Sequence, residues 1–304
     1  YYISIYKFAC YILLVSPSVA SHQSHSCLNF EFKKSKDLYL YHMNRQHDYE
    51  NYLATLLLTK SIRSPAIVLR AYNVEVARIQ DQTSDVQTAA FRLQFWQDII
   101  KSRHTYLRVL NLHKLLPYLS ERLITSRSGL LKTKYFRSLE DVERYAEDSV
   151  SAIYYLLLGV ARVTNVHADH VASHLGKAQG IANILRSIYV SNQHKMILFP
   201  METLMQHKLS QEDVLRGTDS YGMREAVFEI ATRANIILFP VFIFQARKIK
   251  VPMETNQIFL PAVAVNAYLT KLQKCNFNIF DKSLHRGNAT LPFTLYYNRF
   301  RNKY

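Results

Sequence analysis

Asn165-Val166-His167-Ala168-Asp169-His170-Val171-Ala172-Ser173-His174-Leu175-Gly176-Lys177-Ala178-Gln179-Gly180-Ile181-Ala182-Asn183-Ile184-Leu185-Arg186-Ser187-Ile188-Tyr189 is the stretch on which the fold turns. Ala168, Val171, Ala172, Leu175, Ala178, Ala182 and Leu185 recur at helical spacing, which gathers them on one side of a helix. Asn165 supplies a side-chain oxygen for the orphan N–H groups of the first turn. The spacing predicts a single long helix from Asn165 through Tyr189.

The same pattern continues on both sides. Ser64-Pro65 reads as an N-cap with proline at the first helical position, opening a helix over Ala66–Gln80 that carries Leu69, Tyr72, Val76 and Ile79. Ala89, Leu93, Trp96 and Ile100 form the next stripe. Ser138 with Asp141 resembles a capping box leading into Val142, Tyr145, Val150, Ile153 and Leu157. Further helices are predicted at Met223–Ala234 and Ala262–Leu272. No internal repeat and no strand alternation is visible, so the predicted class is all-α.

Composition agrees. The 304 residues are 49% hydrophobic and 20% charged, which excludes a disordered chain. Only 7 of the 304 are glycine, well under the usual share of about 7%. Sheets with tight turns and phosphate-cradling loops need glycine at positive φ, so the deficit favours helices joined by short loops. Neither G-x-G-x-x-G nor G-x-x-x-x-G-K-[ST] occurs, and neither G-x-S-x-G nor H-E-x-x-H is present. Cys10, Cys27 and Cys275 have no metal or disulfide spacing, which fits a reducing compartment. The formal net charge of +15 implies attraction to anionic surfaces.

Three segments stand apart. Residues 1–42 hold the apolar run Phe8–Val15 and a serine-rich stretch, with no acid before Glu31 and no arginine before Arg45. They read as a signal core, an arginine-poor import presequence or a translated leader, ahead of one domain over 43–304. Ile236–Phe244 is nine apolar residues around Pro240, too short to span a bilayer at about 20 residues. It reads as a buried segment broken by proline, a membrane-touching loop or an insert. Arg247-Lys248-Ile249-Lys250 and the tail Tyr296–Tyr304 mix basic and aromatic residues. Such mixing suits an anionic lipid surface, single-stranded nucleic acid, or a solvated face and a frayed end.

Candidate site residues lie at every fourth position on two helices: Asn73, Ala77 and Asp81 on one, and Gln179, Asn183 and Ser187, with Arg186 adjacent, on the other. They either line a polar cavity between helices or form solvated faces. His167, His170 and His174 fall within about 60° on their helix. With no fourth ligand indicated, a polar or partner-contact stripe is the stronger reading and a transition-metal site the weaker.

Ala71–Asp81 followed by Arg92-Leu93-Gln94-Phe95-Trp96 resembles the first signature of squalene and phytoene synthases. Leu175–Arg186, ending at Phe199-Pro200, resembles their second. The similarity runs from about Asp48 to the C-terminus. It implies an isoprenoid-synthase-like helical bundle around a central cavity. In such bundles two aspartate-rich motifs on facing helices hold the magnesium ions that carry substrate diphosphates. The first motif, D-D-x-x-D, falls on Ala77-Arg78-Ile79-Gln80-Asp81 and keeps only Asp81. The second, D-x-x-E-D, falls on Ser187-Ile188-Tyr189-Val190-Ser191 and keeps no carboxylate. Glu75 points away from that face; Asp85 would lie one turn past Asp81 if the helix continued that far.

The resemblance therefore implies a catalytically silent relative with no cofactor and no metal, in which Asn73, Ala77, Asp81, Gln179, Asn183, Arg186 and Ser187 are cavity-lining remnants. Asn73-Val74-Glu75-Val76-Ala77, the long match over His167–Gly180 and Ser210-Gln211-Glu212-Asp213 are similar to one branch in particular. That branch serves the assembly of mitochondrial respiratory complex I. Its resemblance implies an early, non-catalytic role in the biogenesis of a membrane subunit, at the matrix face of the inner membrane. Expected partners are complex I subunits or other assembly factors, with peripheral contact to anionic inner-membrane lipid and no nucleic acid. The alternatives are an active prenyl-diphosphate transferase and a lipid- or isoprenoid-binding module.

Overall fold

A computed structural model describes residues 38–83, 85–102, 115–191, 197–246, 253–284 and 286–304. Residues 38–47 form helix α1, followed by α2 (Tyr49–Leu56), α3 (Lys60–Arg78), α4 (Val86–Ser102) and α5 (Leu115–Thr133). Strand β1 (Tyr135–Phe136) leads into α6 (Leu139–Ala146), which runs on through a π-helical turn at Glu147–Ser151 into α7 (Ala152–Val160). Then come α8 (Val166–Ser191), β2 (Ile197–Pro200), α9 (Met201–Gln206) and α10 (Gln211–Arg216). The chain continues with α11 (Tyr221–Ala246), α12 (Met253–Ile258), α13 (Pro261–Lys274) and α14 (Leu291–Phe300).

The axis of the bundle is α8, the long helix predicted from sequence. Asn165 Oδ1 accepts from the backbone N–H groups of His167 (2.9 Å) and Ala168 (3.2 Å), so the first turn is capped as expected. The predicted apolar stripe is buried throughout, and Ile181, Ile184 and Ile188 are buried too. A helix apolar on more than one side has to be covered on more than one side. Accordingly α8 lies against α6, the π-helical turn, α7, β2, α11 and α13.

The helix over Leu69, Tyr72, Val76 and Ile79 is present with those residues buried, but it starts earlier than predicted. Ser64-Pro65 is not its cap: Pro65 lies inside α3, which begins at Lys60. The Thr59 N–H donates to Gln257 Oε1 at 3.0 Å, satisfying an orphan donor from across the bundle, and Ile62 is buried. Pro65 forgoes one hydrogen bond in exchange for that tertiary start. Ser138 Oγ accepts from the Asp141 N–H at 3.3 Å, and Ser210 with Asp213 makes a complete capping box.

Four further expectations are corrected. Ile236–Phe244 is neither a broken segment nor a loop but the C-terminal part of α11, which passes through Pro240. Pro240 has no N–H to give the Ile236 carbonyl four residues earlier, and the helix continues past it. Ile237, Leu238 and Val241 are buried while Ile236 and Phe239 are exposed, and Tyr221–Ile243 as a whole is long and apolar enough to cross a membrane. Its apolar composition also serves packing, since 44% of the most apolar stretch is buried against the bundle. The tail is not frayed either: α14 is followed by Tyr304, only 4% exposed and edge-on to Phe259. A parallel pair, β1 with β2, is present, its strands too short for alternation to reveal them. Lastly, the boundary predicted at Met43 falls inside α1. Leu40 is in the core and the Tyr39 hydroxyl donates to Glu75 Oε1 at 2.6 Å, so the packed unit takes in residues 38–42. The readings of residues 1–37, of Arg247–Lys250 and of the Ile100 side chain lie outside the described residues.

Candidate functional site

Between α3, α5, α7, α8 and the start of α2 lies a partly open cavity of about 400 Å³. Helical periodicity builds two of its walls. Arg70, Asn73 and Ala77 follow one another down one face of α3, and Asp81 comes just beyond its end. Gln179, Asn183 and Ser187 descend the facing side of α8. Apolar surface from Leu130, Val150, Ile153 and Leu198 closes the remainder.

Of the seven residues singled out from sequence, the structure brings six together in this cavity: Asn73, Ala77, Asp81, Gln179, Asn183 and Ser187. Arg186 is not on its wall. Its guanidinium makes a two-point pair with Glu50 (2.7 and 3.2 Å) and lies 4.2 Å from the centroid of the Tyr268 ring, held out of the cavity by both. Asp85 does not line the cavity with Asp81. The chain turns after Arg78, and Asp85 caps α4 by accepting from the Thr88 N–H (2.8 Å) and hydroxyl (2.9 Å). Those bonds hold its carboxyl below the usual range. Glu75, as expected, points elsewhere, to Tyr39.

The sequence reading missed the basic and hydrogen-bonded parts of the wall. A buried chain of contacts runs from the Tyr154 hydroxyl, which donates to Gln179 Oε1 (2.5 Å), through Gln179 Nε2 to Asn51 Oδ1 (3.1 Å) and Asn51 Nδ2 to Asp48 Oδ1 (2.7 Å). Asp48 Oδ2 is 4.0 Å from Arg70 Nη1, and the Arg70 guanidinium lies over the Tyr154 ring. From α5, Arg127 Nη2 donates to Asn73 Oδ1 at 2.8 Å. Arg70 was legible in principle, three residues before Asn73 on the same helical face. Arg127 comes from a different helix and carried no local signal.

Burial pushes the Asp48 carboxyl above its ordinary value of 3.8, against the opposing pull of Arg70 and of the Asn51 hydrogen bond. Burial and the nearby Arg78 lower the His47 imidazole. For Asp48 the folded pKa exceeds the unfolded one, so the native state binds the proton more tightly and stability falls as pH rises between the two. Asp48→Asn removes that linkage. Its stability relative to the parent protein is expected to climb as pH rises from about 3.8, with a slope of at most about 1.4 kcal/mol per pH unit. Urea unfolding of both proteins across a pH series checks this; parallel profiles would contradict it.

The family resemblance implies magnesium here, and the donor set does not fit it. Mg²⁺ asks for octahedral oxygen ligation anchored by carboxylates. Two carboxylates line the cavity, Asp81 and Asp48, and Asp48 is bonded to Asn51 and lies beside Arg70; Asn183 and Ser187 supply an amide and a hydroxyl, with Arg70, Arg78 and Arg127 on the same walls. Among the described residues no group of three or more His, Cys, Asp or Glu side chains is placed to hold a metal ion. His167 and His170 are exposed; His174 is partly buried and hydrogen-bonded to the Ile237 backbone, and its imidazole is lowered chiefly by burial.

A squalene/phytoene synthase family profile matches residues 44–293. The protein named "NADH dehydrogenase (ubiquinone) complex I, assembly factor 6" in Rattus norvegicus is 36% identical over 278 residues, which are 88% of this chain and 83% of that one. Its Drosophila melanogaster homolog is 37% identical over 279 residues, 85% and 82% of the two chains. The crystal structure of a dehydrosqualene synthase in complex with a ligand superposes with a TM-score of 0.69 at 13% identity, over 90% of this chain and 98% of that one. At that identity the likeness speaks to fold alone, and the fold is the helical bundle around a cavity described above. The chain belongs to the squalene/phytoene synthase family and, within it, to the branch that carries the assembly factor 6 name.

Proposed function

We propose that this chain is a non-catalytic assembly factor for mitochondrial respiratory complex I, acting early in the biogenesis of a membrane subunit at the matrix face of the inner membrane. The observation that carries the non-catalytic part is the composition of the cavity: among the described residues its lining holds two acids, Asp81 and the Asn51-bonded Asp48, beside Ala77, Asn183 and Ser187, and three arginines share the walls. Departure of a diphosphate from a largely apolar pocket needs divalent cations to neutralise it, and those cations need clustered carboxylates. The helices and the cavity are kept, so the bundle works by binding. Its partners are complex I subunits or other assembly proteins.

Peripheral contact with anionic lipid is supported by the outer surface. On α14, Phe293, Tyr296, Tyr297 and Phe300 are exposed, Phe300 by 82%, and Arg301 and Lys303 follow. Exposed aromatic rings beside basic residues suit the headgroup region of such a membrane. The exposed Ile236 and Phe239 of α11 add apolar surface.

Depleting the protein in cells is expected to lower assembled complex I on native gels and to spare the other respiratory complexes. Undiminished complex I would overturn the assembly role. Incubating the purified protein with farnesyl diphosphate and Mg²⁺ is expected to yield no head-to-head product. Turnover abolished by Asp81→Ala would overturn the non-catalytic reading. The apolar portion of the cavity wall supports a second reading, a lipid- or isoprenoid-binding module, which native mass spectrometry of co-purified lipid tests.

A further inference from the structure

We propose that α14 is the membrane-docking element of the protein: it lies flat on an anionic bilayer, with one row of aromatic rings entering the headgroup region and basic side chains near its C-terminal end meeting the lipid charges. The inference rests on the lipid contact proposed above and names the element that makes it. Helical periodicity divides α14 into two faces. Leu291 and Leu295 point to the bundle, where they form a small apolar cluster with Ala54 of α2, Leu260 and Ala264, separate from the main core. At the α-helical pitch, Phe293, Tyr296, Tyr297 and Phe300 fall together on the opposite side, within an arc of about 100°. They are 79%, 66%, 55% and 82% exposed. A lone exposed ring is ordinary on a soluble protein, but four on one face of a ten-residue helix set that face apart as a contact surface.

The charge pattern selects the occupant. No Asp or Glu occurs between Lys282 and Tyr304, while Lys282, Arg286, Arg301 and Lys303 are exposed. Arg301 is held over Tyr297, its Cζ 5.5 Å from the ring centroid and its Nη1 donating to the Tyr297 hydroxyl at 2.9 Å, so a cation sits at the polar edge of the aromatic row. Arg299 differs: its Nε donates to the Leu57 carbonyl at 3.1 Å and pins the helix to the end of α2. Amphipathic rings beside cations match the boundary between headgroups and acyl chains, where tyrosine is favoured and each basic residue gains from anionic lipid. Helix α4 also exposes rings, Phe91 and Phe95, but they lie between the exposed acids Asp85 and Asp98, which an anionic surface repels. The length of α14, about 15 Å, is half of a hydrocarbon core of about 30 Å, so it does not cross a bilayer. With its inner face fixed to the bundle, it docks side-on.

The test is flotation of the purified protein with phosphatidylcholine vesicles, prepared with and without phosphatidylglycerol. The parent protein is expected to float with the anionic vesicles, far less with phosphatidylcholine alone, and less again as added salt screens the headgroups. Phe293→Ser combined with Tyr297→Ser and Phe300→Ser is expected to weaken binding roughly tenfold or more. Arg301→Glu with Lys303→Glu is expected to weaken it by roughly tenfold as well. Phe91→Ala on α4 is expected to bind as the parent does. The substituted side chains are exposed and lie outside the main core, so unfolding temperatures should stay close to that of the parent. If the triple variant does not fold, Phe300→Trp decides. Its emission is expected to shift to the blue on anionic vesicles and to be quenched by nitroxide-labelled lipid, while the buried Trp96, the single tryptophan of the parent, responds to neither.

Parent-like flotation of either α14 variant, or an unshifted and unquenched emission from Phe300→Trp, would overturn the assignment to α14; lipid contact would then lie elsewhere on the surface and the aromatic row would belong to a protein partner. Failure of the parent protein to float with anionic vesicles would overturn the lipid contact itself along with the assignment. Neither result bears on the complex I role, which the depletion experiment tests by itself.

Discussion

Gly176→Ala is expected to destabilise the folded protein by about 3 kcal/mol, lowering its unfolding temperature by roughly 6–12 °C for a domain of this size. At position 176 a Cβ would sit 2.1 Å from Ser151 Oγ, 2.5 Å from Ser151 Cα and 2.6 Å from its backbone nitrogen. Two of those atoms are backbone, and Ser151 Oγ is itself engaged, donating to the Ser173 carbonyl at 3.2 Å. No rotamer change relieves the overlap; α8 has to move off the π-helical turn. Replacing a helical glycine ordinarily gains about 1 kcal/mol of propensity, so the net loss measures the clash less that gain. The effect should reach the cavity, because Gln179 and Asn183 ride on the same helix. Chemical denaturation checks it, and a variant within about 0.5 kcal/mol of the parent would mean that the two backbones are not in contact.

Trp96→Ala is expected to cost about 4 kcal/mol. Trp96 is 1% exposed and meets the ring of Tyr72 edge-on at 5.6 Å, a contact between α4 and α3. Tyr72 immediately precedes Asn73, the residue that holds Arg127. Loss of the indole should therefore also loosen the cavity's basic wall. Phe91→Ala, on the exposed side of the same helix, is the control and should change stability by less than about 0.5 kcal/mol. Equal effects of the two substitutions would show that α4 is not anchored through its inner face.

Much of the bundle was legible because burial leaves a periodic trace. The stripe on α8, the Leu69–Ile79 row on α3 and the Asn165 cap could each be read from neighbouring residues alone, since i, i+3 and i+4 positions share a face wherever a helix forms. The candidate site was legible for the same reason, six of its seven residues lying on two such faces. The misreadings came where distant chain overrode local preference. Ser64-Pro65 looked like a helix start, but Gln257 provides the partner that lets α3 begin at Lys60. Pro240 looked like a break, but α11 passes through it, with Ile237, Leu238 and Val241 buried against the bundle. Arg186 looked like part of the cavity, and Glu50 and Tyr268 hold it elsewhere.

By itself the amino-acid sequence determined the helical class, the central helix, the two facing rows and the scarcity of acids between them, because each depends on residue type and spacing within about twenty residues. Only the tertiary structure decided that the cavity is basic. Arg127 arrives from α5, Arg70 is locked between Asp48 and Tyr154, and Asp85 is turned away to cap α4. Which charges share a desolvated space depends on how helices cross, and helix crossing is set by packing across the whole core, for which no local spacing is a guide.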